Sequence, residues 1–258
     1  MIDTHNHLLP ALDDGARNAD ETLQMCRIAR EDGIESIVAT PHSLDGHFVN
    51  EPDRIRTLVQ DLNDQLETEG MGLKIHPGME VRLSPDFIER LQEGSVLPLN
   101  DGRYVLLELH PLYLPAGFEN LVRKLLDMDV RIVLAHPEKN AAISRHPEFL
   151  FNLIRLFQPW ELLVQVTAAS LTGENGRLVA RVAKLLLSNN LVHLVASDAH
   201  DAVYRRPILS KALEIAEGIV GEEKTRAMVR DIPQAVLNGG DFPKSWELSN
   251  PRRWWRFF

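Results

Sequence analysis

Seven short runs rich in aliphatic and β-branched residues, each separated from the next by an amphipathic stretch, constrain this 258-residue chain more than any other feature. The runs are IDTHNHL (2–8), ESIVAT (35–40), LKIHPGME (73–80), RYVLLEL (103–109), VRIVLAH (130–136), LLVQVT (162–167) and LVHLVAS (191–197). Between the second and third, NEPDRIRTLVQDLNDQLETEG places Ile55, Leu58, Leu62 and Leu66 on one helical stripe, with Gly70 as its stop. Further helices are predicted near 19–32, 85–93, 117–128, 147–158, 174–189, 206–218 and 222–230. Such alternation predicts an α/β fold with a parallel sheet covered by helices. A closed or distorted barrel and an open doubly wound sheet both satisfy it. No GxGxxG or GxxxxGK[ST] loop is present, which removes the usual nucleotide-binding form of the open sheet.

Composition narrows the function classes. A net charge of −9 argues against general nucleic-acid binding, which needs a basic face. No run reaches the roughly 18 apolar residues of a membrane span, and the N-terminus lacks the pattern of a secretory signal, so a cytoplasmic protein is expected. The single cysteine, Cys26, excludes an intrachain disulfide and any CxxC metal site. It follows Leu23 by three residues on a helical apolar face, where a buried, inert thiol is expected. The last thirteen residues, WELSNPRRWWRFF, hold three of the four tryptophans and three arginines. The segment 243–258 is therefore read as an aromatic, basic tail that packs on its own domain or a neighbouring subunit, or docks a partner or an anionic membrane surface.

The chemistry sits where the strands end. His5 and His7 close the first run, and Asp13-Asp14-Gly15 follows it. His42 follows the second, Glu80 ends the third, and Glu108 the fourth. His136 ends the fifth, and Asp198 and His200 follow the seventh; only the sixth, at Val166-Thr167, lacks a strong ligand. Parallel strands deliver their C-terminal ends to one face of an α/β fold, and that face carries the site. Imidazoles and carboxylates without thiolates suit Zn²⁺, Mn²⁺ or Fe. Strand alternation puts His5 and His7 on one side, and Asp198 and His200 likewise if the strand continues. Asp3 shares the side of His5 and is expected to orient an imidazole. Nine ligand candidates exceed the capacity of one ion. Their four carboxylates neutralise two divalent ions, and a third leaves two positive charges that favour an anionic substrate such as a phosphate ester.

At these residues the chain resembles the polymerase and histidinol phosphatase (PHP) superfamily, through HNH, TPH, GME, AHPE and SDAH. It is more closely similar to the bacterial manganese-dependent protein-tyrosine phosphatases of capsule and exopolysaccharide operons. IDTHNHLLPALDDG, IVATPH, HPGMEVRLSPD, LPLNDGRYVLLEL, VLAHPEK and LVASDAH carry that likeness in unbroken order from residue 1 to about 240. The resemblance implies a PHP domain over 1–242, built as a distorted seven-stranded (β/α) barrel with a trinuclear, often manganese-bound site. By motif, His5, His7, Glu80 and Asp198 would hold one ion. Glu80 would bridge to a second ion held by Glu108 and His136, and Asp14, His42 and His200 would hold a third. The implied substrate is phosphotyrosine, notably on the tyrosine-rich C-terminal tail of a bacterial tyrosine kinase that drives polysaccharide export.

Two positions depart from that pattern. Lys139 stands where the family usually has a phosphate-binding arginine, keeping the charge but losing the bidentate fork. Arg206, in YRRP, matches the second such arginine, with Arg205 as an adjacent competitor. His47, His76, His110, His146 and His193 match no ligand motif; His76 and His193 are expected to be satisfied core residues. Histidinol phosphatase chemistry and a phosphodiesterase or nuclease module are the rival activities. A metal-free binding domain would bury nine ligands at heavy desolvation cost.

Overall fold

The computed structural model describes residues 1–158 and 160–239. Nine strands form: β1 (Ile2–Asn6), β2 (Ser36–Ala39), β3 (His42–Ser43), β4 (Lys74–Pro77), β5 (Glu80–Arg82), β6 (Tyr104–Glu108), β7 (Arg131–Ala135), β8 (Leu162–Thr167) and β9 (Leu194–Ala196). Between and after them lie α1 (Ala19–Glu31), α2 (Pro52–Thr68), α3 (Phe87–Gln92), α4 (Phe118–Asp127), α5 (Ala141–Arg145), α6 (Glu148–Ile154), α7 (Ala168–Thr172), α8 (Arg177–Ser188), α9 (Ser210–Val220), α10 (Glu222–Val229) and α11 (Asp231–Asn238). Among the described residues, no helix is long and apolar enough to cross a membrane. The tail expected at 243–258, and the end of the domain expected at 242, lie outside the described residues.

Every strand pair among the described residues is parallel, as the α/β reading expects, and the strands divide between two sheets rather than closing into one seven-stranded ring. One sheet has the order β1-β2-β4 and the other β3-β5-β6-β7-β8-β9. The third predicted strand is split in two, and a two-residue strand, β3, forms just beyond the second, which turns seven into nine. Pro41 separates β2 from β3, and Pro77 ends β4 before Gly78-Met79; each proline removes a ladder donor. At Gly78 an added Cβ would sit 2.8 Å from Val38 Cγ1, so the backbone bends directly over the core there. β1 meets the far end of the larger sheet through an isolated bridge between Asn6 and Ala199. His7 N donates to Ala199 O at 2.8 Å, and Asp198 N donates to His5 O at 2.9 Å.

Strands at the middle of the larger sheet are buried on both faces, as parallel sheets covered by helices require. All five residues of β6 and all six of β8 are buried. Helices cover them with one apolar face each. In α2, Ile55, Val59, Leu62 and Leu66 are buried while Leu58 is only half-buried, so the stripe turns one residue from the expected line. Asn18 caps α1 by accepting from Glu21 N at 3.0 Å, and Cys26 lies buried beneath it. Burial pushes the Cys26 thiol up to about 12, in keeping with an inert residue.

Candidate metal centre

Glu80, at the start of β5, is fully buried and surrounded by imidazoles. Its Oε1 accepts from His136 Nε2 at 2.8 Å. Its Oε2 lies 3.1 Å from His5 Nε2, 3.4 Å from His7 Nε2 and 3.0 Å from His42 Nδ1. Across it, His5 Nε2 and His7 Nε2 face each other at 3.1 Å, and both stand 3.6 Å from Asp198 Oδ1. Asp14 Oδ1 is 3.6 Å from His42 Nε2 and 3.4 Å from His200 Nε2. Glu108, ending β6, accepts from Arg82 Nε at 2.9 Å. The nine side chains read from the strand ends thus lie around one face, in overlapping sets. Three sets have every ligand atom within 4.8 Å of the others: His5–His7–Glu80, His42–Glu80–Glu108 and His7–Asp14–His42–His200.

Backbone geometry aims several of these groups. β1 stops at Asn6 and β9 at Ala196, so His7, Asp198 and His200 lie beyond regular strand. His136 and Asp198 adopt left-handed backbone, with φ of 31° and 53°. That conformation costs a non-glycine residue about 1 kcal/mol or more and turns the side chain off the strand direction. Gly15 has a related purpose: an added Cβ would come within 2.1 Å of His7 O and 2.6 Å of His7 Cβ. Only a residue without a side chain lets the loop after β1 fold back over His7.

Sequence reasoning missed the residues that orient the first two imidazoles. Asp13, not Asp3, bonds His7: its Oδ2 accepts from His7 Nδ1 at 2.6 Å and from His42 N at 2.8 Å, and its Oδ1 accepts from Gly15 N at 2.9 Å. Gln165 Oε1, on β8, lies 3.2 Å from His5 Nδ1, so the strand without a ligand still serves the site. Asp3 instead accepts from Ser197 Oγ at 2.6 Å, Ser197 N at 2.9 Å and Asn6 Nδ2 at 3.0 Å, tying β1 to the end of β9. Its own alternation with His5 was a real signal, but it points to the neighbouring strand rather than to a ring.

Electrostatics bind these groups into one unit. Burial works against the charge on Glu80, yet His5, His136 and His42 hold it well below the usual carboxylate range. Burial likewise opposes the charge on Asp198, and Lys139, His5 and His136 outweigh it. Burial lowers His7, but Asp13 and Glu80 prevail and raise it to about 10. His200 goes the other way, to about 4, because burial and the neighbouring His7 charge exceed the help from Asp14.

The donor set fits divalent metal. Glu80 Oε2, His42 Nδ1 and His200 Nε2 are buried with no hydrogen-bond partner among the described residues, although other ligand atoms crowd them. Buried polar atoms without partners are costly, and convergent lone pairs on imidazole and carboxylate are what a metal ion satisfies. The remaining histidines stand apart. His193 is buried in the core, accepting from Val164 N at 3.0 Å; His76 is half-buried beside Asn100; His110 stacks on Tyr113; His146 pairs with Glu148; His47 is exposed.

Cations rim the face. Lys139 Nζ bonds Asp198 Oδ2, and Arg205 Nη2 donates to Asp198 Oδ1 at 3.1 Å. Lys139 and Arg205 also border the cavity that contains His42, Glu108, His136 and His200. Of these two cavities, Arg206 borders the adjoining one and not the one at the metal face.

Comparison with known proteins places this arrangement among relatives. Tyrosine-protein phosphatase YwqE of Bacillus subtilis (strain 168) is 33% identical over 258 residues, the whole of both chains. Tyrosine-protein phosphatase CpsB of Streptococcus pneumoniae is 26% identical over 242 residues, 92% of this chain and 98% of that one. A crystal structure from work on those two proteins, described as metal-dependent tyrosine phosphatases, superposes with a TM-score of 0.88 and 33% identity, covering 97% of this chain and all of the other. Residues 1–238 match the family described as capsular polysaccharide synthesis, CpsB/CapC. With the fold, the length and the sequence pattern in agreement, the chain belongs to the CpsB/CapC family.

Proposed function

We propose that this protein is a metal-dependent protein-tyrosine phosphatase, with a bacterial tyrosine kinase that regulates capsule or exopolysaccharide synthesis as its substrate and the cytoplasm as its compartment. Glu80 carries the reading: a fully buried carboxylate ringed by four imidazoles is costly as core packing and suited to bridging cations. Family membership supplies the reaction, since the matched relatives are phosphatases of phosphotyrosine. We read the site as holding three divalent ions, Mn²⁺ foremost. His5, His7, Glu80 and Asp198 would take one, Glu80, Glu108 and His136 a second, and Asp14, His42 and His200 a third. The two sheets are read together as a distorted seven-stranded (β/α) barrel of the PHP type, a view supported by the bonds joining β1 to the end of β9.

Bound divalent ions supply Lewis acidity, activating water and drawing charge from phosphoryl oxygens. The protein's own groups do the rest. Asp13 and Gln165 fix the rings of His7 and His5, so their Nε2 atoms face inward without reorganisation. Lys139 and Arg205 place positive charge beside Asp198 at the rim, where a phosphoryl dianion would enter, and Arg206 adds charge from the adjoining side.

Purified protein supplied with Mn²⁺ should hydrolyse a phosphotyrosyl peptide, and His5→Ala or Glu80→Ala should reduce turnover to background. Turnover of histidinol phosphate with none of phosphotyrosine would overturn the substrate. Metal analysis that finds no transition metal bound, with no response to added Mn²⁺, would overturn the chemistry.

A further inference from the structure

Two cavities meet at one wall. The first, about 320 Å³, contains His42, Glu108, His136 and His200. The second, about 270 Å³, contains Asn175, Tyr204, Arg206 and Lys211. Lys139, Asp198 and Arg205 border both. A phosphoryl group held on the first side therefore leaves the second open to whatever is attached nearby, and a lone phosphotyrosine does not need it.

The charges of the second cavity are unevenly used. Lys139 and Arg205 are bonded to Asp198. Arg206 and Lys211 are exposed and have no ion pair among the described residues. Among the described residues one further carboxylate borders the cavity, Glu174, so four cations there face two carboxylates. In a chain of net charge −9 this is a local excess of uncommitted positive charge. Lys211 is held in place rather than trailing in solvent from a loose end. It lies in the first turn of α9, where Leu209 N and Ser210 N donate to Asp32 Oδ2 at 2.6 and 3.0 Å. Tyr204, 84% exposed at the same cavity, adds an amphipathic surface against which peptide can lie.

We propose that this second cavity is a subsite for an acidic side chain flanking the phosphotyrosine of a peptide substrate, with Lys211 and Arg206 as its charge partners. The proposal rests on the phosphatase reading above and adds a sequence preference to it. It also gives Lys211, which does not border the metal face, a role in choosing substrate rather than in the reaction.

The test uses the full-length Mn²⁺-loaded protein and three substrates: free phosphotyrosine, a phosphotyrosyl peptide with glutamates on both sides, and the same peptide with lysines instead. Wild type is expected to prefer the acidic peptide in kcat/KM by about fivefold at low salt, the advantage shrinking as salt screens it. Lys211→Glu should erase that preference while leaving turnover of free phosphotyrosine unchanged. Equal rates on both peptides, or a preference that survives Lys211→Glu, would overturn the subsite and leave the phosphatase reading intact. Binding is read separately by fluorescence anisotropy of the labelled peptides. Binding of the acidic peptide that depends on Lys211, without hydrolysis of any phosphotyrosine, would support the subsite and overturn the phosphatase reading.

Discussion

His7 Nδ1 donates to Asp13 Oδ2 at 2.6 Å, and that bond decides which nitrogen of His7 faces Glu80 and His5. Asp13 does this while its two oxygens also accept from His42 N and Gly15 N, so one carboxylate fixes a ring, a strand start and a loop. Asp13→Asn keeps the size but leaves one acceptor oxygen for groups on both sides. Apparent Mn²⁺ affinity is expected to fall about ten- to hundredfold, the usual cost of losing such a partner. A titration of activity against Mn²⁺ checks this, and saturating metal should restore most of the rate. Unchanged metal dependence would rule out the orienting role.

Loading with metal should release protons. Without metal, His7 is raised to about 10 by Asp13 and Glu80 acting against burial, so its imidazole is charged at neutral pH. A metal ligand must be neutral imidazole, so binding expels that proton. Apparent affinity for Mn²⁺ should therefore rise with pH between 6 and 9. Adding Mn²⁺ to chelator-stripped protein in a weakly buffered indicator solution should acidify it. No acidification would contradict the assignment of His7 as a ligand.

The rim cations should not be equivalent. Arg205 bonds Asp198 and borders the metal-side cavity, whereas, of the two cavities, Arg206 borders only its neighbour. Removing one preorganised donor from a site that stabilises developing negative charge costs about a hundred- to a thousandfold. Discounted for the exposure of Arg205, a loss of about tenfold in kcat/KM on free phosphotyrosine is expected for Arg205→Ala. Arg206→Ala should cost less on that substrate. Lys139→Arg should retain activity, while Lys139→Ala should lose it, because the fork replaces the point charge but alanine replaces nothing. Steady-state kinetics on free phosphotyrosine ranks the four variants.

Acid should destabilise the protein partly through His193. Burial lowers its imidazole from 6.5 to about 3, so the folded state keeps it neutral while the unfolded chain protonates it first. The unfolded state then binds more protons across that window, and stability falls as pH drops from about 6.5 towards 3. His193→Asn places an amide oxygen where Nδ1 accepts from Val164 N and cannot titrate. Melting temperatures from pH 7 to 4 should decline less steeply in this variant than in wild type. Parallel slopes would show that other groups account for the acid sensitivity.

Much of this protein was legible in one dimension because its signals are local. Strand and helix periodicity set the α/β class, and the period of two placed a ligand type at six strand ends. His5, His7, Asp14, His42, Glu80, Glu108, His136, Asp198 and His200 could all be named that way. A parallel sheet sends strand ends to one face regardless of details, so convergence needed no coordinates.

What the tertiary structure alone decided depends on contacts between distant segments. Pro41 and Pro77 break two ladders, so the sheet count follows from where neighbouring strands need donors, which no local pattern reports. The partners of the imidazoles, Asp13 for His7 and Gln165 for His5, depend on which way a loop folds and which strand lies opposite. Asp3 had the right alternation and a different partner, Ser197, which is 194 residues away in sequence and adjacent in space. His136 and Asp198 reach the site through left-handed backbone that their sequence permits but does not impose. Residue type and period settled which chemistry the chain can perform; packing across the two sheets settled which atom meets which, because side-chain direction is fixed only when both neighbours are in place.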